Sequence, residues 1–532
     1  MTAGASHIGI VGGGMLGLGL ALRLIEAGHE VTVLEGGTGV GGLARADRIG
    51  DVTWDRFYHV TLLSDTHLRA LLDEIGLGDR IQWRTTRTGF FTDGRLVPMT
   101  TPLDFLRFPP LGPVSKARLA YTILAAARIT DPGPLEHLTA VEWLTRLSGR
   151  RTVERIWLPL LRSKLGDHAE QASAAFIWAI IARLYAARRS GLKREMFGYV
   201  DGGYDAVLAR LRARVQTRGV ALRCGQPVVS VRADRAGGGG GAETGTGAGA
   251  GAGAVVELAG GETRRFDAVV LTVPCSQVAA LCPQLSAEER SRLRGVVYQG
   301  VICPSLLLRR PLSGYYVTNI TDRWVPFTGV IEMTALVDPA TFGGHSLVYL
   351  PRYLAQDDAT WNRTDEDLVA ESIDVLGRMY PGFRPADVVA TRVARAREVL
   401  AISTLDYSRA LLPPLRTSVD GVYIVNSAQI AYGTLNVNET LGLAARQAAA
   451  LALFLGTQAA PGGPATRTSG GSIGGAKDGR RRSTPARGRH AHAPGPGSAS
   501  AAEVADADPR GSYAGSRQAA AVTETASTTA ER

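Results

Sequence analysis

The sequence predicts an α/β fold: a parallel-sheet domain assembled from separated stretches of chain, with an α+β unit inserted into it. Three observations carry this expectation. The chain opens on an apolar strand, a glycine turn, a helix and a second strand. A short apolar strand followed by a long helix stands far downstream, at 422–455. Between them the character is helical from about 96 to 195 and then mixed, strand with helix, over 281–400.

In order, His7 to Val11 is the first strand, residues 15–28 form an apolar helix stopped by Gly28, and Glu30 to Glu35 is the second strand. Pro109, Pro110 and Pro113 break the early part of the helical region. A helix at 203–217, strands at 219–223 and 228–233, and the strand Phe266–Val273 bring the chain back to the first domain. The Gly/Ala run 236–254 lies between two strands and reads as a flexible hairpin insert. Val422–Asn426 and the helix 438–455 complete the fold. From 457 to 532 almost no large apolar residue occurs, so burial cannot offset the entropy of ordering, and a disordered tail is predicted. The first domain then comprises 1–95, 196–280 and 415–456, and the second 96–195 and 281–414.

Composition narrows the function. The net charge of +10 points weakly to anionic partners, because Lys477, Arg480, Arg481, Arg482, Arg487 and Arg489 all lie in the tail. No basic surface interleaved with aromatics suggests nucleic acid. Cys224, Cys275, Cys282 and Cys303 form neither a CxxC pair nor a cluster with metal spacing, so no metal is expected. The N-terminus lacks a basic region followed by a cleavable apolar core, and no stretch approaches the ~18 apolar residues of a membrane span. A cytoplasmic protein is the expectation.

Gly12, Gly14 and Gly17 form GxGxxG between the first strand and the first helix. The first glycine permits the tight turn, the second lets backbone approach a pyrophosphate, and the third lets helix and strand pack closely. The phosphates would meet the helix N-terminus. Glu35 ends the second strand 21 residues after Gly14, where a carboxylate can accept hydrogen bonds from a ribose. This is the context of a Rossmann-like dinucleotide site. A second glycine cluster, Gly39, Gly41 and Gly42, follows directly, then Leu43 and the small Ala44. An NAD site needs no such second loop, whereas FAD, a longer ligand, takes a second backbone-level contact between ribose and flavin. FAD is therefore the predicted cofactor. Downstream, Asn438-Glu439-Thr440 opens the last helix, with Asn438 or a neighbour as its cap. The dipole of that helix would favour negative charge on a reduced flavin.

These residues resemble the flavin-containing amine oxidase superfamily, which includes protoporphyrinogen oxidases, phytoene-type desaturases and UDP-galactopyranose mutases. The resemblance spans about 7–455 and is sharpest at 8–60, 198–232, 266–274 and 421–445. It implies a two-domain fold with the flavin between a dinucleotide domain and a substrate domain. It also places a valine strand against adenine, at Val228. Many relatives carry a basic residue after the double glycine, where this chain has Leu43, with Arg45 two residues on. The last strand ends Asn426-Ser427 in place of the Gly-acid pair of many oxidases.

The candidate chemistry centres on Asp55–His59, where His59 is either an acid/base or a structural histidine. Tyr432 and Asn436 precede the last helix and either bound the pocket or stabilise a turn. The segments 102–129 (Phe105, Phe108, Leu111, Lys116, Arg118, Tyr121) and 173–194 combine apolar and basic residues. They read either as membrane-surface helices or as packed helices with solvated basic ends. The leading expectation is an FAD-dependent oxidase or desaturase acting on an apolar or lipid-linked small molecule. A non-redox, mutase-like flavoenzyme and an escort-type binding protein are the alternatives.

Overall fold

A computed structural model describes residues 5–188, 196–234, 253–433 and 435–458. Most of the Gly/Ala insert, and the tail beyond residue 458, lie outside the described residues.

Five parallel strands form the first sheet, in the order Ala221–Cys224, Glu30–Glu35, His7–Val11, Ala268–Leu271, Val422–Ile424. Its central strands read as continuous apolar runs because both faces are covered, and Ile8, Ile10, Val31, Val33 and Val269 are fully buried. One face is covered by the helix Met15–Glu26, against which the terminal helix Val437–Gln458 packs. A Cβ on Gly19 would stand 3.0 Å from Leu441 Cδ2, so that glycine sets the closeness of the two helices. The other face carries an antiparallel sheet of Val228–Ala233, Ala254–Leu258 and Thr263–Phe266. Val231, Val256 and Leu258 pack there against Val269 and Leu271.

The second unit is built on an eight-stranded sheet around two long antiparallel strands, Tyr298–Leu308 and Val388–Ala401. Its helical part, Pro102 to Arg188, closes over a core that includes Phe105, Trp143, Trp157 and Phe176. The boundary expected at residue 95 falls late. The hairpin Thr88–Thr92 and Arg95–Pro98 runs in the second sheet, with Thr88 paired to Val317. Thr88–Thr92 is buried throughout, and a short buried run of this kind carries no periodicity that assigns it to either sheet.

The aromatics Phe105, Phe108, Phe176 and Trp178 of the two apolar and basic segments follow the packed-helix reading. Phe105, Phe108, Leu111, Phe176 and Trp178 are buried, while Leu103, Leu106, Val114 and Tyr121 are exposed beside Arg107 and Arg118. No described helix is long and apolar enough to cross a membrane.

Candidate FAD and substrate site

The glycine motif folds as its spacing requires. Gly12 has φ of +112°, and a Cβ there would lie 2.5 Å from Thr272 Oγ1. On Gly17 a Cβ would stand 2.0 Å from the Gly12 carbonyl oxygen, so the third glycine is what lets the helix sit against the turn. No side chain caps the helix that starts at Met15, which leaves its N-terminus for a ligand. The second glycine loop is bonded to the first: the Gly41 N–H donates to the Gly13 carbonyl at 2.8 Å. Gly41 and Gly42 both have positive φ, and Leu208 crowds the position of a Cβ on Gly41 at 2.4 Å.

Glu35 organises this cradle. Its Oε2 accepts the Gly13 N–H and its Oε1 the Gly37 N–H, each at 2.7 Å. An ionised carboxylate offers about four acceptor positions, so two remain for ribose hydroxyls. The Gln226 N–H donates to the Glu35 carbonyl at 3.0 Å, tying the turn before Val228 to the same corner. Val228 itself does not line the cavity described next.

A cavity of about 530 Å³ runs from this cradle into the second unit, within the range for a small-molecule site. Gly12, Gly14, Glu35, Gly41, Gly42, Leu43, Ala44, His59, Asn438 and Thr440 line it. Gly17, Asn426, Glu439 and Tyr432 do not. Gly17 acts through packing. Asn426 is fully buried, with its Nδ2 donating to the Val273 carbonyl at 3.1 Å and its Oδ1 accepting the Ala428 N–H at 3.2 Å. The Tyr432 hydroxyl is 2.7 Å from Ser408 Oγ, and its ring packs between two core clusters.

The cap of the terminal helix is Asn436, whose Oδ1 accepts the Glu439 N–H at 3.0 Å. Asn438 does a different job: its Oδ1 accepts the N–H groups of His67 and Leu68, at 2.9 and 3.1 Å. It thereby caps the helix Thr66–Glu74, whose own N-cap, Asp65, makes no side-chain bond to that helix. Sequence spacing reveals caps within one helix, not a cap lent by another.

His59 stands at the cavity wall with its ring 4.7 Å from the Tyr204 ring. Its Nδ1 is buried without a hydrogen bond, 3.7 Å from Asp55 Oδ2. Asp55 is committed to the scaffold, since its Oδ1 accepts the Tyr204 N–H at 2.7 Å at the start of the helix Gly203–Thr217.

Sequence reasoning missed Lys164, Tyr353, Phe197 and Val301, which line the cavity with Tyr58 of the Asp55–His59 cluster. Burial drives the Lys164 ammonium down to about 8 and raises the Tyr58 and Tyr353 hydroxyls. The signal was present: Lys164 follows Leu160 by four and Leu161 by three, on the inward face of the helix Leu158–Leu165.

The glycine cradle, the bivalent Glu35 and the long cavity fit a dinucleotide that continues past its pyrophosphate, as FAD does. The fold and the site define an FAD-binding protein. Residues 17–451 match the family of flavin containing amine oxidoreductases, and the chain belongs to that family. A coproporphyrinogen III oxidase of Mycobacterium tuberculosis is 26% identical over 309 residues, which cover 54% of this chain and 63% of that relative. A crystal structure of reduced UDP-galactopyranose mutase has a TM-score of 0.64 at 16% identity, over 86% of this chain and 98% of that one. Putrescine oxidase bound to putrescine has a TM-score of 0.62 at 18% identity, over 84% and 99%. At such identities these two structures share the fold alone.

Proposed function

We propose that this enzyme is an oxidase or desaturase that withdraws two electrons from an apolar or lipid-linked small molecule. The observation that carries the reading is the wall of the cavity beyond the cradle, where Phe57, Phe197, Val301, Val399 and Leu435 present apolar surface. Bound FAD supplies the two-electron acceptor. Gly12, Gly14, Glu35, Gly41, Gly42, Leu43, Ala44, Asn438 and Thr440 are proposed to hold it. The apolar wall orients the substrate and excludes water, and His59 is proposed to hold or pass a proton at its ring. That the matching mycobacterial relative is an oxidase supports this reading.

Anaerobic mixing with a panel of hydrophobic candidates, and separately with coproporphyrinogen III, tests it. The right compound bleaches the oxidised flavin, and an added acceptor restores the colour. Turnover only after dithionite reduction, with a product isomeric to its substrate, would replace this reading with a mutase-like, non-redox one. Peripheral membrane contact is part of the proposal, supported by the exposed Leu103, Leu106, Val114 and Tyr121 beside Arg107 and Arg118.

A further inference from the structure

We propose that Lys164 is the anion-binding group of the substrate cavity, so that the enzyme takes an apolar molecule bearing a carboxylate or phosphate and discriminates against amines. The inference rests on the reading above that this cavity receives the substrate, and it names the polar feature that the substrate must carry.

Lys164 is 9% exposed and lines the cavity as the cation contributed by the second unit. It makes no hydrogen bond or ion pair with any described residue, and its Nζ lies 5.8 Å from the centre of the Tyr353 ring. The Tyr353 hydroxyl is in turn 3.3 Å from that of Tyr58, so a phenol pair borders the ammonium. A buried ammonium is costly unless an anion meets it, and here the protein supplies none.

The charged groups on the elements packed against its helix are engaged elsewhere or point outward. Glu170 pairs with Arg162, Glu154 with Arg150, Arg155 with Asp93 and Arg352 with Glu371. Asp167 is exposed, and the His168 ring faces Gln171. Of the other charged or titratable groups that line the cavity, Arg56 is held by both oxygens of Asp47, and Glu398 accepts the Ser276 hydroxyl at 2.6 Å. Glu35 is bonded to the two glycine loops, Asp65 to the Leu62 N–H, and His59 stands near Asp55. Arg45 lies beside the Glu35 turn, near Gly37. The lysine is therefore a cation without a counter-ion, facing the space a ligand would fill. A carboxylate or phosphate would complete it, whereas an alkylammonium would set like charge against like.

Difference spectra of the oxidised holoenzyme titrated with octanoate, octyl phosphate, octylamine and octanol test the assignment. The expected result is saturable perturbation of the flavin band by one of the anions, with octylamine at least ~10-fold weaker. The preferred anion tells carboxylate from phosphate. Anion affinity should fall by about tenfold per pH unit above a pH near 8, where the lysine loses its proton. Lys164→Met should stay yellow and bind octanol as before but lose at least ~10-fold in anion affinity, and Lys164→Arg should keep part of it. Equal or tighter binding of octylamine, unchanged anion affinity in Lys164→Met, or no anion response at millimolar concentration would each overturn the assignment. Absence of bleaching by any substrate would count against the redox reading alone, because these titrations need no turnover.

Discussion

Glu35 does two things at once, and its replacement separates them. Its carboxylate holds Gly13 and Gly37 in place while leaving acceptor positions for ribose. Glu35→Ala should reduce FAD retention by ~10-fold or more and leave a folded apoprotein, read as flavin released on gel filtration. Unchanged flavin content would show that Glu35 is not the ribose ligand. Gly17→Ala is harsher, since the new methyl meets the Gly12 carbonyl at 2.0 Å; a loss of ~1–3 kcal/mol is expected, with a colourless product. Lys164 shows the opposite trade. Its folded value, about 8, lies below the ordinary 10.5 of lysine, so the native state holds fewer protons than the unfolded chain between those limits. Below pH 8 its burial therefore costs stability, on the order of 3 kcal/mol, and the cost fades as pH rises from about 8 to 10.5. Lys164→Met should be more stable than the parent in neutral urea melts, with the gap closing by pH 10.5. The glycines and Glu35 were legible in the sequence because their spacing is set by local turn geometry. Lys164 was legible only as an inward-facing residue, because a burial pattern shows which side of a helix faces inward but not that a cavity lies there.

At the level of elements, periodicity located the helix Gly203–Thr217 and the strands Glu30–Glu35 and Val228–Ala233 at their observed bounds. It gave no sign that the strand Thr88–Thr92, ahead of the boundary expected at residue 95, pairs in the second sheet, because pairing partners more than 200 residues away leave no local trace. The cap lent by Asn438 is a contact of the same kind. Asn438→Ala should destabilise by about 1 kcal/mol, with faster amide exchange at His67 and Leu68, while Asn436→Ala loosens the terminal helix instead. Exchange that rises only in the terminal helix of both variants would contradict this division. On the exposed helical face, Val114→Glu with Leu106→Glu should weaken binding to anionic vesicles several-fold in sedimentation without changing flavin content. Equal sedimentation would remove membrane contact from the proposal.

For the whole molecule, the ligand space is walled by residues from the chain's beginning, middle and end: Gly12, Lys164 and Asn436 all border it. Bound FAD should therefore stabilise the whole described fold, by about 2.7 kcal/mol at one hundred times its Kd, and one melting transition should move as it is added. Two transitions, only one of them moving with FAD, would show that the units melt independently. The same arrangement bears on synthesis. The helix Met15–Glu26 buries Met15, Leu16, Leu18, Leu20, Leu22 and Leu24, and the terminal helix, which begins at Val437, covers one of its sides. At ribosomal speeds of ~5–20 residues per second, that side waits on the order of 20–80 s for its cover. Throughout that interval the nascent chain displays a greasy helix and an unfinished parallel sheet, which is the kind of surface that holdase chaperones bind.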